Sequence, residues 1–250
     1  SEQGILSALS VYHHPVPDDL WSSGVEQQAV ASLREQHLIQ TDNHGSYFID
    51  PTVQDTIYRY LSPEGREIHH RNAAAVRADR AEYTMAAYHY QQSHRPDLAV
   101  RIWYSHQEAE IDQGQAEAAL AIFNEISRYQ LQEEDGDILV LIRSNLLKLQ
   151  GAYAPAREAL QTIRQQNSEL NAIAHRIEGD LAEVNGDFDS AREAYGAGLK
   201  IIESQLEVEA ALFHKNLGWV HRRQRDLNQA WQESCLARFE IESLQGHIER

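Results

Sequence analysis

Apolar residues recur at three- and four-residue spacing along most of this chain, the period of helices that bury one face. The first run is Ile5, Leu6, Leu9 and Val11. After Pro15 and Pro17 a short helix is expected through Leu20 and Trp21. A third, over residues 25 to about 37, carries Val25, Ala29, Val30 and Leu33, with Leu38 continuing the stripe. The period then shortens. Within residues 38–49 two strand-like runs flank Asn43-His44-Gly45, which reads as a tight hairpin turn. Asp50-Pro51 starts the next helix, with Asp as N-cap and Pro in the first turn. Ser62-Pro63-Glu64-Gly65 starts another, through Ile68, Ala73 and Val76. A further helix spans about residues 81–92 and stops near Arg95-Pro96. From Asp97 onward helices alternate with turns at Gly114, Gly151, Gly186 and Arg225. The acidic run Glu133-Glu134-Asp135 reads as a solvated connector.

The second half repeats itself. Gly151-Ala-Tyr-Ala-Pro-Ala-Arg-Glu-Ala-Leu160 is followed by Gly186-Asp-Phe-Asp-Ser-Ala-Arg-Glu-Ala-Tyr195. Arg225-Asp-Leu-Asn-Gln-Ala-Trp-Gln-Glu-Ser234 is the third copy. Each is a turn, an apolar residue and, three residues on, an alanine: Ala156, Ala191 and Ala230, spaced 35 and 39 apart. A fainter copy, residues 114–123, places Ala119 a further 37 upstream. Nine residues before each apolar turn residue stands a small one, Ser144, Gly179 or Gly218. Small residues are needed where two helices cross closely, and a period of about 34 residues is that of stacked helix hairpins. The pattern resembles the tetratricopeptide repeat (TPR). Gly179 and Gly218 match its small residue in the first helix. Tyr153, Phe188 and Leu227 match its turn aromatic or an apolar equivalent, and the four alanines match the alanine of its second helix.

Composition narrows the function. The 250 residues carry a formal net charge of −16, with lysine at positions 148, 200 and 215 alone. Such a surface opposes phosphate-led binding of nucleic acid. No apolar run is long enough to span a bilayer, and no secretory leader is seen, so a cytoplasmic protein is expected. The single cysteine, Cys235, fits a reducing compartment and reads as a small core residue.

Three helices and a two-stranded wing in residues 1–61 form a winged-helix pattern. Tyr47-Phe-Ile-Asp-Pro-Thr-Val-Gln-Asp-Thr-Ile-Tyr-Arg-Tyr-Leu61 leads into Ser62-Pro-Glu-Gly-Arg-Glu-Ile-His-His-Arg-Asn-Ala-Ala-Ala75, then Ala86-Ala-Tyr-His-Tyr-Gln-Gln92. This order resembles the region after the nucleotide-binding core of STAND-type signalling NTPases, the class of NB-ARC proteins and large LuxR-type regulators. The resemblance implies a winged helix (1–61), a helical connector (62–95) and a TPR-like array (96–250), the sensing part of a larger switch. It implies an intramolecular contact with an NTPase core outside this chain, and an array truncated at its C-terminal end. The family's winged helix lends a His to the β-phosphate of bound ADP; the matching position here is Asp50, whose carboxylate would repel phosphate.

Other chemistry finds little footing. Residues 1–61 hold two arginines against eight carboxylates, a net charge of −6, so DNA binding by Glu26-Gln-Gln-Ala-Val-Ala-Ser-Leu-Arg34 is disfavoured. That alternative would make the chain part of a transcription regulator. Glu67-x-x-His70 is half of a di-iron motif without its second half. No catalytic, metal or cofactor-binding residues are assigned. Trp103, Tyr153, Tyr195, Trp219 and Trp231 fall at packing positions. The expected fold is therefore an all-α superhelix of TPR-like hairpins preceded by a small winged-helix domain. Its first helices line a groove for a protein, peptide or small ligand, offering Asn145 and Lys148, then Arg176, Asp180 and Glu183, then Lys215, Asn216, Trp219, Arg222 and Arg223. An aromatic flanked by cations suits an acidic peptide or a phosphorylated ligand. Arg222 and Arg223 equally suit the C-terminal end of a helix dipole.

No Gly-x-x-x-x-Gly-Lys-Ser/Thr occurs in the sequence. The chain is therefore expected neither to hydrolyse nor to bind ATP or ADP, and micromolar affinity for either in calorimetry would contradict this reading.

Overall fold

The computed structural model describes residues 1–12, 14–21, 23–43, 45–163, 168–202 and 207–248. Among them are thirteen α-helices and one two-stranded sheet, in two compact units, residues 1–115 and 116–250.

The first unit opens with α1 (Glu2–Leu9), capped by the Ser1 hydroxyl. The short helix expected at Leu20 and Trp21 is a single 3-10 turn, Asp18–Leu20. Helix α2 (Gly24–Glu35) starts on a capping box, in which Ser23 and Glu26 satisfy each other's backbone N–H groups. Strands β1 (Gln40–Thr41) and β2 (Tyr47–Phe48) pair antiparallel, Gln40 opposite Phe48. In their connection the Asp42 carboxylate accepts the Ser46 N–H at 2.8 Å and Gly45 takes φ +87°; His44 of the expected turn lies outside the described residues. Val16 bridges the free side of Tyr47, which ties the Pro15–Pro17 stretch to the hairpin. Ile5, Leu9, Val11, Val30, Leu33 and Trp21 close one core beneath it.

Helix α3 (Pro51–Tyr60) begins as expected, with the Asp50 carboxylate accepting from Thr52 N–H at 2.8 Å. Gln54 on α3 donates to the carbonyls of Ser10 and Tyr12, satisfying the chain where α1 ends. Three longer helices follow: α4 (Pro63–Asp79), α5 (Tyr83–Gln92) and α6 (Pro96–Asp112). The start of α5 has no side-chain cap of its own. Glu110 on α6 replaces it, accepting the N–H groups of Tyr83 at 3.2 Å and Thr84 at 2.9 Å. A buried carboxylate on orphan helix donors is a charge-assisted bond, and it fixes α6 against α5. Arg77 on α4 pairs with Glu82 and donates to the carbonyls of His14 and Pro15, anchoring α4 to the N-terminal segment.

The second unit is built from helix hairpins: α7 (Ala116–Glu125), α8 (Glu133–Leu149) with α9 (Tyr153–Leu160), α10 (Ser168–Val184) with α11 (Phe188–Ile202), and α12 (Glu207–Arg223) with α13 (Leu227–Ile248). The turn glycines Gly151 and Gly186 take φ near +77°, and Arg225 adopts the same left-handed geometry at +65°. The repeated Ala119, Ala156 and Ala191 are fully buried. Close approach explains the small residues: a Cβ on Gly179 would lie 2.3 Å from the ring of Tyr195, four residues beyond Ala191. The acidic run is not a solvated connector. Glu133, Glu134 and Asp135 form the first turn of α8, where carboxylates favour the helix dipole. Asp135 and Asp137 are buried, and Asp137 pairs with Arg128. Cys235 is exposed rather than in the core. Of the five aromatics placed at packing positions, Trp103 and Tyr195 are fully buried and Tyr153 half-buried, but Trp231 is 73% exposed.

Two glycine substitutions should separate close packing from helix propensity. Gly179→Ala forces the Tyr195 ring aside and is expected to destabilise the fold by roughly 1–2 kcal/mol. Gly196 on α11 has nothing within 4 Å of an added Cβ. Gly196→Ala is therefore expected to stabilise by about 0.5–1 kcal/mol. Urea titration of both variants reads the opposite signs.

Candidate functional site

Helix α12 presents Lys215, Asn216, Trp219 and Arg222 at spacings of one, three and three, so they share a face. They line an open cleft of about 740 Å³ with Leu227, Ala230, Trp231 and Ser234 of α13 and Glu183 of α10. Gly218 forms its floor, with the Ser234 hydroxyl 3.3 Å from where its Cβ would stand. Trp219 is 45% and Leu227 69% exposed, so the cleft walls are apolar and open to water. The cations Lys215 and Arg222 are exposed at its rim.

The other expected groove residues do not join it. Arg223 turns toward the previous hairpin, its guanidinium 5.6 Å from the ring centres of both Phe188 and Trp219. Lys148 on α8 is ion-paired with Asp180 on α10 at 2.6 Å. Asp180 also accepts the Tyr195 hydroxyl at 2.8 Å, and Glu183 accepts it at 3.3 Å. Burial, followed by the charge of Asp180, pushes the Tyr195 phenol far above its ordinary pKa. Asn145 and Arg176 are half-buried and have interactions of their own. The ten expected groove residues thus divide into five at the cleft, Glu183 among them, Arg223 beside it, and four that do not line it, of which Lys148 and Asp180 pair between α8 and α10.

Sequence reasoning missed Trp231 and Ser234 as lining. The signal was present four residues beyond each repeated alanine: Phe123, Leu160, Tyr195 and then Ser234. The first three are buried large side chains; Ser234 is exposed. The cleft lies at the hairpin whose filling residue is a serine.

Two polar clusters lie in the first unit. His70 of the half di-iron motif contacts His89 through their Nδ1 atoms at 3.0 Å, with Tyr58 on its Nε2 at 3.2 Å. One imidazole must donate and the other accept, so this pair is a buried hydrogen bond rather than a metal site. No group of three metal-ligating side chains occurs among the described residues. A smaller hollow of about 300 Å³ is lined by Arg77, Glu82, Thr84 and Glu110, and these side chains bond one another or cap α5.

No family model matches the chain, and no curated protein sequence matches it. Solved structures do resemble it. The MamA protein matches 72% of this chain and 93% of its own length at 15% identity, with a TM-score of 0.52. BtubC (BKLC) from P. vanneervenii matches 90% of this chain and 94% of its own at 18% identity, TM-score 0.54. A STAND protein with a tetratricopeptide repeat sensor, PH0952 from Pyrococcus horikoshii, matches 98% of this chain at 12% identity and TM-score 0.52; the chain spans 45% of that protein's length. These likenesses establish the fold: an all-α, TPR-like superhelical array.

The Lys148–Asp180–Tyr195 network should behave as structure. Asp180→Ala takes the acceptor from the Lys148 ammonium and leaves the Tyr195 hydroxyl only its longer bond to Glu183, and is expected to cost about 1–3 kcal/mol. Lys148→Met, at a site 17% exposed, should cost under about 1 kcal/mol. Thermal melts of the two variants and their double mutant measure the coupling.

Proposed function

We propose that this chain is a non-enzymatic interaction and sensing module of a cytoplasmic STAND-type signalling protein. Residues 1–61 act as a winged helix, 62–95 as a connector and 96–250 as an array that engages a protein or peptide. The order of elements supports this: α1, a 3-10 turn, α2, a two-stranded hairpin and α3 precede the longer helices. The likeness to a STAND protein with a TPR sensor over 98% of the chain agrees with it. In this reading the winged helix contacts an NTPase core of the parent protein rather than DNA. The position matching the family's phosphate-binding His, Asp50, is engaged as a helix cap, and Thr52 N–H holds its carboxyl below the usual range.

One observation carries the interaction reading. Lys215, Trp219 and Arg222 converge at an open, apolar-walled cleft on a chain whose net charge is −16. Neither cation makes an ion pair or hydrogen bond among the described residues. Exposed cations around an aromatic form a surface for an acidic partner.

Affinity capture from the native host with wild type and Lys215→Glu/Arg222→Glu tests the reading. Both are expected to melt at the same temperature, and the double variant to lose at least tenfold of the bound partner. Equal capture by both would remove the cleft from the interaction. A shift of duplex DNA by the wild-type chain at low salt would favour the transcription-regulator reading instead.

A further inference from the structure

The four filling positions of the array, Phe123, Leu160, Tyr195 and Ser234, are related by the repeat, and the last breaks the rule. At the preceding hairpin the Tyr195 ring occupies the space over Gly179, so closely that no Cβ fits beneath it. At the last hairpin Gly218 is equally small and buried, but its counterpart is Ser234. Over Gly218 the Ser234 Oγ stands 3.3 Å and the Glu233 Cβ 3.4 Å from where a Cβ would be, so the serine covers the glycine but fills none of the cleft beside it. The walls of that space are aromatic, Trp219 and Trp231, and both are exposed. Its rim bears Lys215 and Arg222, against one carboxylate, Glu183, which already accepts a bond from Tyr195.

We propose that the cleft is a socket for one large apolar side chain carried on an acidic peptide segment of a partner protein. The side chain seats against Trp219 and Trp231, beside the contact of Ser234 with Gly218, in the volume that a residue as large as Tyr195 would fill at position 234. The acidic residues around it meet Lys215 and Arg222. Apolar burial supplies the anchor, and the charges select and orient the segment. This rests on the reading of the array as a partner-binding module, and adds the chemistry of the bound segment. A short acidic segment carries few charges, whereas two whole chains at −16 repel each other, so the segment is favoured over a second copy.

The test uses a random heptapeptide library selected on the immobilised chain. Wild type is expected to enrich peptides of net negative charge that share one large apolar residue. Replacing that residue by Ala in the best peptide should weaken binding at least tenfold in fluorescence anisotropy. Ser234→Tyr and Ser234→Leu restore the residues of the earlier hairpins, so they should fold, melt higher than wild type and cut that discrimination to less than threefold. Lys215→Glu/Arg222→Glu should weaken the peptide and its Ala version alike. Enrichment without acidic bias, no enrichment, or undiminished discrimination in both filled variants would overturn the proposal. So would a wild-type dimer in sedimentation velocity that Ser234→Tyr returns to monomer, because a second copy would then be the occupant. If host-partner capture depends on Lys215 and Arg222 but ignores Ser234→Tyr, the array reading stands and the socket falls.

Discussion

The second half of this protein depends on how closely paired helices can approach. Where α10 meets α11, the backbone at Gly179 lies against the face of Tyr195, and any side chain on the first helix would collide with it. The neighbouring alanine, Ala191, is fully buried. Close-packed interiors respond to single methyl groups, so this contact sets the spacing of the pair. A buried tyrosine must also satisfy its hydroxyl. Asp180 and Glu183 do so from α10, and Asp180 in turn binds Lys148 on α8. One steric requirement thereby extends into a polar link across two hairpins.

The same constraint produces the candidate site. A repeat protein stacks units whose faces are covered by neighbours. At α12 and α13 the small floor residue is again a glycine, Gly218, but the position that holds Phe, Leu or Tyr in the earlier hairpins is Ser234. A cleft with apolar walls opens there. The first unit shows the opposite economy. Its buried polar groups close on each other: Glu110 on the N-terminus of α5, Arg77 on the chain at His14 and Pro15, and His70 on His89.

Much of this was legible in the sequence because the signals are local. Ser62-Pro63, Asp50-Pro51 and the turn residues Gly151 and Gly186 mark helix boundaries through capping and φ alone. The repeated alanines marked buried crossings at Ala119, Ala156 and Ala191, while Ala230 is half-buried. Long-range pairing was not legible. Asp137 finds Arg128, and Glu110 finds the start of α5, through folded proximity that spacing does not encode. The acidic run at Glu133 differs from its expectation for a local reason: it is the first turn of α8. The groove residues were half legible. Helical periodicity put Lys215, Trp219 and Arg222 on one face, but could not tell that Lys148 and Asp180 would pair with each other.

The most direct measurement is amide hydrogen exchange on the chain alone and in complex with the partner captured from its host. Slowed exchange in residues 214–234, with residues 1–61 unchanged, is the result expected if the open hairpin is the binding surface. Slowed exchange confined to residues 1–61, with residues 214–234 unchanged, would contradict it.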